Sequence, residues 1–316
     1  MKRVLVVFYS QSGQLKNIVN ATIAPLLNTP DIEVTCAELN PDVKFPFPWP
    51  IGQFFNTFPE SVYQVPTAQA PLSLDENADF DLIILAYQVW FLSPSLPVST
   101  FLQSPQAQRL LRGKPVITLI GCRNMWLNAQ EKVKAHLLHC GATLVDNIVL
   151  TDSAHSAFTF ISTPLWVLTG HRGPFLGGLV PVAGVPDEDI AACARFGRAI
   201  ARQLPQRSAD ERRPFLQGLG AVKISETLIA SELIAHRSFL IWGRLLRSLG
   251  NQRSFIRRCV LVVYVVFLVT MILTIVPISS LLKRLIAPFT KHKVRSQRDY
   301  YAAPSGEDDQ LRNSVT

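Results

Sequence analysis

Over the first two thirds of the chain, short apolar runs alternate with stretches in which apolar residues recur every three or four positions. The runs are 4–9 (VLVVFY), 32–39, 81–87 (DLIILAY), 115–121 (PVITLIG) and 142–150. Runs of this length predict strands, and one as apolar as 81–87 suits a strand buried on both sides. The stretches 14–27, 129–140 and 187–204 have helical spacing. The last opens on Asp187 and Glu188, and Pro205 stands just beyond its end. The alternation predicts an α/β domain over residues 1–205, a parallel sheet with helices on both faces. In such sheets ligands sit beyond the carboxyl ends of the strands, where strand order reverses.

Three loops belong to that edge. Ser10, Gln11, Ser12, Gly13, Gln14 and Leu15 join the first strand to the first helix. A Ser/Gly-rich strand-to-helix turn offers amides, hydroxyls and the positive end of a helix dipole to a phosphate. It lacks the Lys of a triphosphate loop and the three glycines of a dinucleotide fingerprint. A monophosphate fits better, which points to FMN; the plainer alternative is a turn with Ser12 as helix cap. After the third strand come Tyr87, Gln88, Val89, Trp90, Phe91 and Leu92; after the fourth, Gly121, Cys122, Arg123, Asn124, Met125 and Trp126. Their aromatic residues are expected to cover a flat ring or to pack under the loops, and their amides to meet a polar ring edge. Tyr87, Arg123 and Asn124 are the candidates for positioning or proton transfer. Arg123 either stabilises negative charge on a reduced ring or an enolate, or pairs with a surface acid.

The remaining third has another pattern. Residues 224–249 are amphipathic and carry Arg237, Arg244 and Arg247. Such a helix lies along an anionic membrane or covers the main domain. Residues 259–282 carry no charge and at ~1.5 Å per residue reach about 36 Å, enough for a ~30 Å hydrocarbon core. A single span and a monotopic hairpin bent near Pro277 both fit. The expected division is 1–205 (insertions near 44–75 and 153–186), 206–255 amphipathic, 256–286 transmembrane or monotopic, and 287–316 basic and then disordered from Tyr300.

The net charge of +8 concentrates in this last third. A long uncharged run beside it belongs to lipid, and no nucleic-acid partner is expected. The five scattered cysteines form no Cys-x-x-Cys pair, which suits a reducing compartment. With no signal-like start, the expectation is an inner-membrane protein with its main domain on the cytoplasmic side. His136, His139 and Cys140 share one helical turn but lack a further ligand, so no metal is expected. The SAHS sequence at 153–156 is not framed by glycine as a hydrolase elbow is.

The strand followed by Ser-x-Ser-Gly-x, with the Trp-Phe-x-Ser-Pro loop leading to Phe-Leu, resembles the flavodoxin-like family. The resemblance implies a doubly wound five-stranded sheet and bound FMN. The 10–15 loop would hold the phosphate, and 87–92 and 121–126 the isoalloxazine. Gln14 stands where many members have Thr. The segments KFPFPWP (44–50), FNTFPESV (55–62), LAYQVWFLSPSLPV and CRNMWLNAQEKVK are similar to bacterial dialkylresorcinol condensing enzymes. That likeness implies dehydrogenation of a dialkylcyclohexanedione to a dialkylresorcinol lipid, with an acyl carrier protein and a ketosynthase as pathway partners. No ketosynthase-like Cys/His arrangement accompanies it. The long connections 44–58 and 157–185 are expected to form an apolar mouth for a hydrophobic substrate. The alternatives are a membrane-anchored quinone reductase or electron-transfer protein, and a scaffold or binding protein without flavin.

Overall fold

A computed structural model describes residues 1–312 apart from 76, 155 and 209. The SAHS sequence at 153–156, with His155, and the last four residues therefore lie partly or wholly outside the described residues. β1 (Lys2–Phe8) leads into α1 (Gln14–Leu27), then β2 (Ile32–Glu38) and two short helices, α2 (Ile51–Asn56) and α3 (Phe58–Val62). β3 (Leu82–Trp90) turns back as β4 (Ser93–Pro94), followed by α4 (Leu96–Leu102) and α5 (Pro105–Leu111). β5 (Pro115–Cys122), α6 (Leu127–His139) and β6 (Thr143–Thr151) complete the sheet. Beyond it lie α7 (Ser156–Thr169), α8 (Asp187–Ala192), α9 (Ala194–Gln203), α10 (Glu226–Ser248) and α11 (Phe255–Ala302).

The strand order is β2-β1-β3-β5-β6, all parallel, with β4 antiparallel on β3. Counting the five parallel strands, this is the doubly wound order of the flavodoxin-like fold, and it reverses between β1 and β3. Alternate residues of each strand serve opposite faces. Val4, Val6 and Phe8 pack with Ile18, Ile23, Phe196 and Ile200 on one side. Leu5, Val7, Leu85 and Tyr87 pack with residues of α4, α5 and α6 on the other. Helices α1 and α9 touch at Gly197, where an added Cβ would lie 2.0 Å from the Thr22 carbonyl oxygen.

Four expectations are corrected. β3 runs three residues past Tyr87 and closes a tight hairpin, with Phe91 and Leu92 at φ 50° and 58°. The helix expected over 187–204 is interrupted at Cys193, where Phe196 N–H donates to the Cys193 carbonyl in a tightened turn. The connection 157–185 contains the fourteen-residue helix α7. The tail is not disordered over its described part, because polar contacts hold a segment with little to bury. Ser305 is 1% exposed; its hydroxyl accepts from Asn147 N–H (2.7 Å) and donates to Asp146 (2.8 Å). Ile224 N–H donates to Glu307 (2.7 Å), and Leu311 N–H to the Gly218 carbonyl (2.7 Å).

Helix α10 covers the domain with one face and leaves apolar residues exposed on the other. Ile229 and Leu246 are buried on the domain, while Ile234 and Ile241 on the opposite face are 63% and 70% exposed.

Candidate functional site

The crevice between β1 and β3 is bordered by the three loops. Gly13 caps α1 at φ 83°, a conformation only glycine adopts freely, and no side chain caps the helix. The amides of Ser12, Gly13, Gln14 and Leu15 meet no acceptor among the described residues. An added Cβ on Gly13 would meet nothing within 4 Å, so the space above the turn is open. The Ser10 hydroxyl accepts from Lys16 N–H (3.1 Å), which fixes it over the first helical turn.

Gln14 has another task than the one expected. Its carboxamide pairs with both backbone groups of Val185, accepting from N–H and donating to C=O at 3.1 Å each. One amide hydrogen and the carbonyl oxygen are therefore committed to a clamp on Val185. Gly184, beside it at φ 91°, has room for no Cβ: Gln14 and Trp166 atoms stand 2.9 Å from that position.

The second loop is tied to the first. Gln11 N–H approaches Gln88 Oε1 at 3.5 Å, and Gln11 Nε2 donates to the Pro46 carbonyl (3.0 Å). Gln88 Nε2 is buried without an acceptor. Trp90 packs against Tyr9, Phe45 and Trp49, with ring centroids 6.0, 4.9 and 4.7 Å away. Trp126 is also buried. These two tryptophans fill the core beneath the loops and are not free platforms for a ring. Phe91 packs on Phe54 and Phe58. Tyr87 lies wholly inside, where its hydroxyl donates to Gln130 (2.6 Å); Gln130 donates to Thr118, and Thr118 to Asn147. Burial pushes the Tyr87 phenol well above its ordinary pKa. Its side chain thus belongs to a structural network, not to the crevice as its candidacy for proton transfer required.

The third loop keeps more chemistry. The Arg123 guanidinium lies 4.1 Å from the Phe160 ring of α7 and donates to Met125 Sδ (3.6 Å). Among the described residues no carboxylate pairs with it. Its side chain keeps some exposure, yet crowding by protein atoms pulls its pKa down to about 10, so it is charged at neutral pH. Asn124 Oδ1 is buried without a donor. Gln88 and Gly121 are paired across β3 and β5, so the unused amide donor of Gln88 and the unused acceptor of Asn124 belong to adjacent loops. Burial raises the Cys122 pKa strongly and keeps a thiol, not a reactive thiolate. Asp152, just past β6, accepts from Gly184 N–H (2.8 Å) and Ala154 N–H (2.9 Å).

The two long connections meet beside the loops. Trp49 N–H donates to the Val167 carbonyl (2.7 Å), Phe47 contacts Trp166, and Arg172 lies over Trp166 while donating to the Val185 carbonyl (3.0 Å). The expected pair of connections, 44–58 and 157–185, does meet here.

Two residues next to the site escaped the sequence reading. Glu232 of α10 is fully buried and accepts from Asn128 N–H (2.7 Å) and Nδ2 (3.1 Å), so its carboxylate sits at the positive end of α6. Its Oε2 has no partner, and burial raises its pKa. The available signal was one acid between Ile229 and Leu233 on an apolar face. Lys132 donates to the Val62 carbonyl (2.8 Å) and Ser93 Oγ (2.7 Å), and burial pulls its pKa down to about 8. His136 and Cys140 have separate partners, Gln64 and the Leu102 carbonyl.

Two clefts lie away from the loops. One of ≈ 350 Å³ borders Leu39, Leu72 and Phe101; one of ≈ 390 Å³ borders Met1, Asp31 and Pro205.

No protein-family model and no curated protein matches the chain. Solved structures do. A flavoprotein in complex with FMN from Lactobacillus acidophilus is 17% identical (TM-score 0.34), the match covering 46% of this chain and 92% of that one. A WrbA-like flavodoxin from Agrobacterium tumefaciens is 13% identical (TM-score 0.36; 66% and 100% covered). A flavodoxin from the domain Archaea is 14% identical (TM-score 0.33; 65% and 99% covered). The strand order itself, not these distant alignments, makes the first two thirds of the chain a flavodoxin-like domain.

Proposed function

We propose that the protein is an FMN-dependent oxidoreductase held at a membrane, and that it dehydrogenates a dialkylcyclohexanedione to a dialkylresorcinol. The observation that carries the reading is Arg123, an enclosed cation in no ion pair among the described residues, with Asp152 the acid whose field reaches it, at the sheet edge that also holds the open amide turn of Gly13. Both features favour negative charge. The residues fit FMN. The free amides of 12–15 suit its phosphate, and Gln88 Nε2 and Asn124 Oδ1 supply one donor and one acceptor for a ring edge with complementary groups. Bound FMN would accept the hydride lost when the dione aromatises.

This chain's own residues have three tasks in that reaction. The turn at Gly13 anchors one end of the cofactor and so fixes the register of the other. Arg123 stabilises the enolate that forms as the α-proton of the dione passes to solvent, which lowers the barrier to that loss. Residues 44–50 and α7 exclude water and offer an apolar wall to alkyl chains. Phe158 and Ile161, partly exposed on α7, extend that wall outward. The dione would come from a ketosynthase and acyl carrier protein. The uncharged face of α11 supports a membrane setting, and five free cysteines support a cytoplasmic one.

The test uses the full chain in detergent. A yellow protein that releases FMN on heating is expected, with the flavin bleaching anaerobically on addition of a dialkylcyclohexanedione as resorcinol forms. Arg123→Gln should slow that bleaching by roughly a hundredfold, the order found on removing one charge-stabilising donor. A colourless protein that FMN cannot reconstitute would refute the flavin reading. Bleaching by NAD(P)H alone, with reoxidation by a quinone, would replace the aromatase with a quinone reductase.

A further inference from the structure

The two ends of α11 are fastened to the same domain. Near its start Arg257, 1% exposed, forms two bonds to the Glu60 carboxylate of α3 (2.8 and 2.7 Å), and the Tyr264 ring stacks on Phe58 at 4.4 Å. Near its end Arg298 pairs with Glu226 of α10 (3.4 Å), and the Tyr300 hydroxyl donates to Glu131 of α6 (2.8 Å). Ser305 is buried against Asp146 just beyond. Between these anchors lies the apolar stretch Phe255–Ile275, with mean hydropathy 2.5 and 11% of its richest window buried.

Helix α10 provides a ruler. Trp242 touches Tyr264 and Glu226 meets Arg298, two positions about 24 Å apart along α10 at ~1.5 Å per residue. A straight α11 would carry Tyr264 and Arg298 about 51 Å apart by the same rise, so α11 cannot run straight between its two contacts with α10. Whatever the bend angle, the turning point stands no further than half that path, ~25 Å, which is short of the ~30 Å hydrocarbon core. A single crossing would also strand residues 298–312 on the far side, away from Glu131, Asp146 and Glu226.

We infer that α10 and the apolar first half of α11 lie in the interface of one leaflet of an anionic membrane, that the basic residues beyond Leu282 stay at headgroup level, and that the C-terminal segment returns to the domain's own side. The exposed apolar residues Ile241 and Leu245 of α10 and Val262, Val266 and Val269 of α11 supply the lipid-facing surface. Arg244, Arg253 and Arg258 flank it, which matches acidic headgroups. The inference rests on the membrane part of the proposed function and not on the flavin.

The test places a reporter on each limb of the full chain. With Cys36 and Cys259 changed to serine, Gln310→Cys reports the tail; with Cys259 alone changed, Cys36 reports the domain. Each protein is added to the outside of sealed vesicles of phosphatidylcholine with phosphatidylglycerol and treated with a membrane-impermeant maleimide. The tail cysteine is expected to react as completely as Cys36 before detergent is added. A Val266→Cys fluorophore should be quenched by lipids brominated along their chains. Loss of tail labelling until detergent is added would overturn the return of the C-terminal segment and leave a simple span. Proteins that do not float with the vesicles, or a fluorophore at 266 unquenched by brominated lipid, would overturn the membrane setting as well. Flavin content, measured on the same samples, reads the other proposal separately.

Discussion

Replacing Glu60 by alanine should free the start of α11 from the domain. Arg257 makes four hydrogen bonds: two to Glu60, one to the Asn56 carbonyl (2.9 Å) and one to the Gly250 carbonyl (3.2 Å). The variant keeps only the two carbonyls and leaves a buried guanidinium without its counter-charge. Breaking one partner of such a pair costs about 3–5 kcal/mol. Glu60 keeps 16% side-chain exposure and water would enter, so the lower figure of about 3 kcal/mol is the better expectation. The loss falls on one docking contact, so it should appear as local opening, not as global unfolding. Hydrogen exchange of peptides covering residues 50–65, which include α2 and α3, should quicken by roughly a hundredfold, the equilibrium equivalent of about 3 kcal/mol. Exchange in β1 and β3 should be unchanged. The double replacement Glu60→Leu with Arg257→Met, which removes both charges and keeps bulk, should restore most of the protection. Exchange within a factor of about three of the unmodified protein for Glu60→Ala would refute the reasoning, because the pair would then carry less than ~1 kcal/mol.

Gly197→Ala should lower the melting temperature sharply, since its Cβ would overlap the Thr22 carbonyl and force α1 from α9; Gly52→Ala, with open space at its Cβ inside α2, should raise stability by about 0.5–1 kcal/mol. Lys132 has a folded pKa near 8 against an ordinary 10.5, so between those values the unfolded chain holds more protons and stability rises with pH. Chemical denaturation from pH 8 to 10 should show a gain of up to ~1.4 kcal/mol per unit that Lys132→Met abolishes. Ser305→Ala removes two buried hydrogen bonds that hold the tail at Asp146, and limited proteolysis should cut residues 303–312 at least about tenfold faster, equivalent to ~1.4 kcal/mol.

The sheet was legible because its strands announce themselves: a run such as DLIILAY has no polar face and must lie between two layers of helix. The three loops follow from strand ends, and Arg123 and Asn124 stand where that reasoning puts them. Tyr87 shows the limit. Its loop was placed one strand-end too early, because β3 is continued by a hairpin whose Phe91 and Leu92 take positive φ without a glycine to signal it. Gln14 is a second case, since its partner Val185 lies 171 positions away and nothing local marks a clamp. The tail is a third. Composition measures what a segment can bury, and residues 303–312 are held by hydrogen bonds to backbone groups and to Asp146 instead. Glu232 was visible in principle, because an acid inside an apolar helix stripe needs a partner, and the start of α6 supplies it.

In the proposed arrangement α11 would be part of the site's architecture, not a tether. Phe58 touches Phe91 of the second loop at 5.3 Å and Tyr264 of α11 at 4.4 Å, and Phe91 in turn meets Phe54. Phe54 packs on Trp49, and Trp49 on Trp90, whose ring meets Tyr9 at the start of the first loop. One continuous series of ring contacts therefore joins α11 to Tyr9, the residue before the first loop. A chain needing only to be near a membrane would be served by a flexible linker. In the proposed membrane setting, packing α11 against the second loop through Phe58 would fix the distance and angle between the crevice and the bilayer surface. Fixed geometry of that kind matters when the substrate stays anchored in lipid by its alkyl chains and only its ring reaches the crevice.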